Sequence, residues 1–91
     1  MPYEEALAAL AHPTRRKLFD HIRQHPQTVG ELAVSMCISQ PGVSQHLQVL
    51  RRARLVCERR EGVRHYYSAS PEGLAELRRY VESLWVDALR A

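Results

Sequence analysis

The stretch Ser39-Gln40-Pro41-Gly42-Val43-Ser44-Gln45-His46-Leu47-Gln48-Val49-Leu50-Arg51-Arg52 decides how this chain is read. Ser39 is of N-cap type, and Pro41 falls just inside the start, where a first helical turn tolerates proline. Val43, Leu47 and Leu50 recur at four- and three-residue steps, so a helix over Gln40 to Arg52 with one apolar stripe is expected. Gln40, Ser44, Gln45, Gln48 and Arg51 lie largely off that stripe as an amide- and hydroxyl-rich front. His46 falls between stripe and front, and a structural hydrogen bond is its expected role.

Upstream, Thr28-Val29-Gly30-Glu31 has the form of a capping box, in which the threonine hydroxyl caps helix N–H groups and the glutamate three residues on reaches back. The helix it opens carries Leu32, Ala33 and Met36 and is expected to stop near Cys37. Only Cys37-Ile38-Ser39 then separate two short helices, which is helix-turn-helix spacing. Cys37 stands where such sequences usually carry glycine, at a point that often needs a left-handed backbone, and would hold roughly 1 kcal/mol of strain there. Further upstream, Pro13 precedes a helix expected over Thr14 to Gln24, with Leu18, Phe19 and Ile22 inward and Pro26-Gln27 ending it. Glu4 to Leu10 reads as a first short helix with Leu7 and Leu10 on one side.

Downstream the period changes. Leu55 to Arg60 and Val63 to Ser68 are β-prone and flank Glu61-Gly62, the signal of a hairpin. Tyr66 and Tyr67 alternate across it, so one should pack inward and the other face out. Ser70 is expected to cap a last helix that starts at Pro71 and runs to about Leu89. Leu74, Leu77, Val81, Leu84, Trp85 and Ala88 form its apolar stripe. The expected fold is thus mainly α with a small β-hairpin, in the order α-α-α-α-β-β-α. It is one domain over residues 1–91, with the helix-turn-helix at about 28–53, the hairpin at about 55–68 and the last helix at about 71–90.

Composition agrees with a single small domain. The chain has 91 residues, 45% hydrophobic and 25% charged, so wholesale disorder is not expected. A chain this short buries only about 60–65% of its unfolded surface and stands to gain from dimerising. No run of about 18 apolar residues offers a membrane span. The start, Met1-Pro2-Tyr3-Glu4-Glu5, lacks the basic-then-apolar pattern of a signal peptide. Two cysteines make no disulfide framework, and a reduced, cytoplasmic setting is expected.

Net charge is +3, but it is unevenly placed. Between Ser39 and His65 lie six arginines against two glutamates, a net +4, while the rest of the chain sums to −1. A positive field confined to one region suits a polyanion, although a solvated surface would show the same charges. An α-helix fits the major groove of B-DNA, where glutamine can pair with adenine and arginine with guanine. Gln40, Ser44 and Gln45 occupy the N-terminal half of the second helix, where recognition helices reach bases. The hairpin tip, with Arg59, Arg60 and Arg64, suits the phosphate backbone. The same polar front would also serve as plain solvent-facing surface. What favours DNA is the ordered occurrence of helix-turn-helix, hairpin and localised charge.

The segments LAHPTRRKLFDHI, TVGELA, ISQPGVSQHLQVLRRARLV and RREGVRHYYSAS closely resemble the ArsR/SmtB family of bacterial winged-helix repressors, from about Leu7 to Ser70. The resemblance implies a homodimer on double-stranded DNA. Its first and last helices would form the dimer interface, here Tyr3, Leu7, Leu10, Leu74, Leu77, Val81, Leu84, Trp85 and Ala88. Its recognition helices would enter successive major grooves of an inverted repeat. It makes Gln40 to Arg52 the recognition helix and Val56 to Ser68 the wing. The DNA contacts would come from Ser39, Gln40, Pro41, Ser44, Gln45, Gln48, Arg51, Arg59, Arg60 and Arg64.

The family's metal sites are absent by residue type. One subgroup has Cys-Val-Cys where this chain has Thr28-Val29-Gly30, and another uses Asp and His along the last helix, where this chain has no His after His65. No cofactor and no metal are expected. His21 and His25, four apart with His12 nearby, could offer only half a metal site. Cys37 and Cys57 would need to approach within about 7 Å between Cα atoms to form a redox pair, and a small buried hydrophobe is the default role of each. No nucleophile–base constellation or phosphate-binding glycine loop points to an enzyme; Cys37 with His46 is a formal pair only. The competing class is a winged-helix module that binds protein and no longer reads DNA.

Overall fold

The computed structural model describes residues 2–91. Five helices and three strands follow in the order α1 (Pro2–Ala11), α2 (Pro13–Gln24), β1 (Gln27–Thr28), α3 (Val29–Met36), α4 (Gln40–Arg52), β2 (Val56–Glu61), β3 (Arg64–Ala69) and α5 (Pro71–Arg90). The expected α-rich architecture with a hairpin is the one observed. The hairpin, however, belongs to an antiparallel three-stranded sheet in the order β1-β3-β2.

Each boundary has a local cause. Thr28 and Glu31 form the reciprocal capping box: the Thr28 hydroxyl accepts from the Glu31 N–H at 3.2 Å, and Glu31 Oε1 accepts from the Thr28 N–H at 3.0 Å. Those contacts, the backbone one first, hold the Glu31 carboxyl below its ordinary range. At the other end of α3, Cys37 adopts the left-handed conformation at φ 56°, ψ 41°. The Ile38 N–H then reaches Ala33 O at 3.2 Å and the Cys37 N–H reaches Val34 O at 3.3 Å, the two bonds of a Schellman ending. Ser39 caps α4 by accepting from the Gly42 N–H at 3.1 Å. Ser70 does not cap α5 with its side chain, contrary to expectation. Its N–H instead donates to Leu55 O at 2.8 Å, and this contact pins the start of α5 to the chain entering β2.

Leu18, Phe19, Ile22, Leu32, Val43, Leu47, Leu50, Leu55 and Val56 close the core, and Ala6 and Ala9 bring α1 onto it. α1 is therefore seated through its alanines. Leu7 stays exposed, while Leu10 packs partly against the core, so the two leucines do not form one outer edge. Arg15 Nε and Arg16 Nη1 reach back from α2 to Ala9 O and Leu10 O, both at 2.9 Å, and satisfy the last carbonyls of α1.

Several local expectations are corrected. α1 is longer at both ends than Glu4 to Leu10. α2 starts on Pro13 itself, with His12 as N-cap accepting the Thr14 N–H on Nδ1 at 3.2 Å. It ends at Gln24, and His25 is extended (φ −166°, ψ 159°), so His21 and His25 do not share a helix face. Leu55 precedes β2 and is fully buried. The hairpin turn is Gly62-Val63, between the paired Glu61 and Arg64, one residue later than Glu61-Gly62. Gly62 takes φ 62° at the first central position while Val63 keeps a negative φ, the II′ pattern that suits strand twist. Both cysteines are free and exposed, so neither is the buried hydrophobe expected of it.

Candidate nucleic-acid interface

The buried stripe of α4 fixes which residues it turns outward. Val43, Leu47 and Leu50 face the core, and Gln40, Pro41, Ser44, Gln45, Gln48 and Arg51 are all exposed, as is the cap Ser39. Gln40, Ser44, Gln48 and Arg51 follow one another at helical spacing, a row about 16 Å long at 1.5 Å per residue. The start of α3 lies against the start of this row, since a Cβ on Gly30 would sit 3.8 Å from Gln40 Nε2. His46 makes no hydrogen bond among the described residues, which corrects the expectation. Its ring rests on that of His12, centroids 5.0 Å apart at 55°.

The wing arginines do not act as one cluster. Cross-strand pairs Glu58↔Tyr67 and Arg60↔His65 put these four side chains on one face of the hairpin. Arg59↔Tyr66 and Glu61↔Arg64 put Arg59 and Arg64 on the other. On that second face Arg59 Nη2 pairs with Glu61 at 3.2 Å, and contact with Tyr66 raises the Arg64 pKa further. Arg60 instead shares its face with Arg51 of α4. All three wing arginines are exposed. Tyr67 is the tyrosine that packs against the core.

Between Arg51 and Arg60 sits a residue that the sequence reading passed over. Glu58 Oε2 accepts from the Tyr67 hydroxyl at 2.9 Å and lies 3.5 Å from Arg51 Nη1. Its Oε1 lies 3.1 Å from His65 Nδ1 and 3.5 Å from Arg60 Nε. The Tyr67 hydroxyl first, then His65 and Arg51, hold the Glu58 carboxyl below its ordinary range. Burial and the facing carboxylate push the Tyr67 phenol up. No local sequence signal marks this cluster; Glu58 reads as one of two glutamates within the arginine-rich segment.

The expected dimer residues fall into two groups. Leu10 and Leu77 pack partly against the core of their own chain, and Tyr3 stacks on Tyr80 with centroids 4.1 Å apart. Leu7, Leu74, Val81, Leu84, Trp85 and Ala88 are exposed, together with Val86 and Leu89, which the sequence reading left out of the stripe. Among the described residues no three His, Cys, Asp or Glu side chains gather as a metal set, and no helix is long and apolar enough to cross a membrane.

Comparison with known proteins bears on this geometry. Residues 10–59 match the family described as a helix-turn-helix domain. An HTH-type transcriptional regulator of Mycobacterium tuberculosis is 46% identical over 94% of this chain and 80% of its own length. The transcriptional repressor SdpR of Bacillus subtilis is 38% identical over 66% of this chain and 67% of its own length. A homodimeric winged helix-turn-helix DNA-binding domain from Mycobacterium bovis, described as a possible ArsR-family regulator, superimposes with a TM-score of 0.76 at 29% identity. That superposition covers 94% of this chain and 80% of the other.

Proposed function

Because this chain belongs to the ArsR/SmtB family of winged helix-turn-helix transcriptional regulators, we propose that it is a cytoplasmic, homodimeric repressor that reads an inverted-repeat operator. The observation that carries the reading is the exposed row Gln40, Ser44, Gln48 and Arg51, with Gln45 beside it, standing next to the Arg60 face of the wing. In this reading residues 28–53 present the recognition helix to the major groove. Ser39, Gln40, Pro41, Ser44, Gln45, Gln48 and Arg51 meet bases and nearby phosphates. Arg59, Arg60 and Arg64 of the wing engage the backbone from both faces of the hairpin. The exposed apolar edge of α5, with Leu7 from α1, forms the seam between protomers. No cofactor and no catalysis enter this function.

Selection of bound sites from a random duplex pool with the reduced protein tests the reading. The expected product is an inverted repeat with half-site centres about one helical turn apart. No enrichment above scrambled DNA would transfer the winged helix to a protein-binding role.

A further inference from the structure

The carboxylate of Glu58 lies where the side chains of α4 meet those of the hairpin. Four donors converge on it: the Tyr67 hydroxyl and Arg51 on Oε2, and His65 and Arg60 on Oε1. Tyr67 belongs to the core side of the sheet and fixes the carboxylate from beneath. The two arginines come from different elements, Arg51 from α4 and Arg60 from β2. Their side chains remain 52% and 74% exposed, against 17% for Glu58. The arginines can therefore leave toward solvent, whereas the carboxylate cannot follow them.

An exposed arginine bound to an internal carboxylate is a cation already partly satisfied. Transferring it to a phosphate exchanges one anion for another and leaves Glu58 facing the DNA backbone. That exchange lowers the return from backbone contacts made anywhere on a duplex. Only a site that also supplies base contacts offsets it.

We infer that Glu58 is an internal phosphate surrogate, a specificity-determining residue that holds Arg51 and Arg60 until an operator supplies base contacts to α4. The inference rests on the DNA-binding reading above. Glu58→Gln keeps the side chain's shape and its acceptor for Tyr67 but removes the charge. Glu58→Ala removes both.

Binding of wild type and the two variants to the selected operator and to a scrambled duplex, across a salt series, tests the inference. Both variants are expected to bind scrambled duplex about tenfold tighter than wild type at low salt, with a salt slope steeper by about one. The ratio of operator to scrambled affinity falls correspondingly. Scrambled-duplex affinity equal to or below wild type in both variants, with an unchanged slope, overturns the inference and leaves the DNA-binding function standing. Affinity and slope unchanged in Glu58→Gln, with any change confined to Glu58→Ala, also overturn it, by assigning Glu58 a shape role in the hairpin. A wild-type chain that binds no duplex overturns the function and the inference together. A melting curve for each variant establishes that it is folded, and where only one folds, that variant alone is compared with wild type.

Discussion

The imidazole of His46 on α4 rests against that of His12, the residue whose Nδ1 caps α2. Burial first, then the nearby His12 and Arg15, hold the His46 ring below its ordinary range, so the fold favours the neutral form. That stability is complete above the ordinary imidazole value of about 6.5 and is lost as pH falls through the lowered folded value. Glu31 and Glu58 also have lowered folded values, but their contribution is lost only below about 4.5. The melting temperature should therefore fall as the pH is lowered below about 6.5, and His46→Gln should flatten that slope. Parallel curves for the two proteins would remove His46 as the cause.

Cys37 ends α3 at a positive φ with an exposed side chain whose only polar contact among the described residues is Sγ to Val34 O at 3.7 Å. A left-handed residue with a Cβ costs about 1–2 kcal/mol, and the greater freedom of glycine in the unfolded chain offsets part of that. Cys37→Gly should raise stability by about 0.5–1 kcal/mol in denaturant titration. A loss of stability would mean that the thiol does more than its contacts indicate.

Gln45 lies exposed in the N-terminal half of α4. Gln45→Ala should weaken operator binding by about 1–3 kcal/mol and relax one base position, whereas Arg60→Ala should weaken operator binding with an unaltered consensus and reduce the salt slope there by about one. Repeating the site selection with each variant separates the two effects. An unaltered consensus for Gln45→Ala removes that residue from base reading.

Trp85 is 65% exposed on α5, among Val81, Leu84 and Leu89. As a central residue of the proposed seam it should be an energetic anchor. Trp85→Ala should cost about 2 kcal/mol of association, an increase of about thirtyfold in dimer Kd. Sedimentation across a dilution series measures this, and an unchanged Kd would move the seam elsewhere.

Gly73 has no room for a side chain. A Cβ there would lie 2.4 Å from Ala53 O and 2.7 Å from Arg54 O, both backbone atoms. Gly73→Ala should lower unfolding stability by about 2–3 kcal/mol, seen as a lower urea midpoint at unchanged slope. Near-wild-type stability would show that the α4–β2 turn yields easily.

Much of the molecule was legible because its signals are local. The Thr28–Glu31 box, the Ser39 cap, the stripe Val43-Leu47-Leu50 and the glycine at the hairpin each act within a few residues. The features that escaped depend on distant partners. β1 is two residues long and exists because Tyr66 and Tyr67 pair with it, so Gln27-Thr28 carries no strand signal of its own. Ser70 has the composition of a cap, but the demand of Leu55 O sets its backbone. A one-residue error in the turn left open which wing arginines share a face, and register alone separates Arg60 from Arg59 and Arg64. Glu58 escaped for the same reason, since its partners come from α4 and from the opposite strand.

The contact at Gly73 also gives α5 a fulcrum. The Gly73 N–H donates to Arg54 O at 2.8 Å, and Arg54 takes φ 58° to present that oxygen. The first turn of α5 is thus clamped to the turn that ends the recognition helix. The rest of α5, from Gly73 to Arg90, extends about 25 Å as a lever arm. A swing of ten degrees about this joint carries the far end about 4 Å, yet moves the clamped end by less than an ångström. In the proposed dimer, small tilts of α5 would therefore set the reach between the two copies of α4, with little repacking around them.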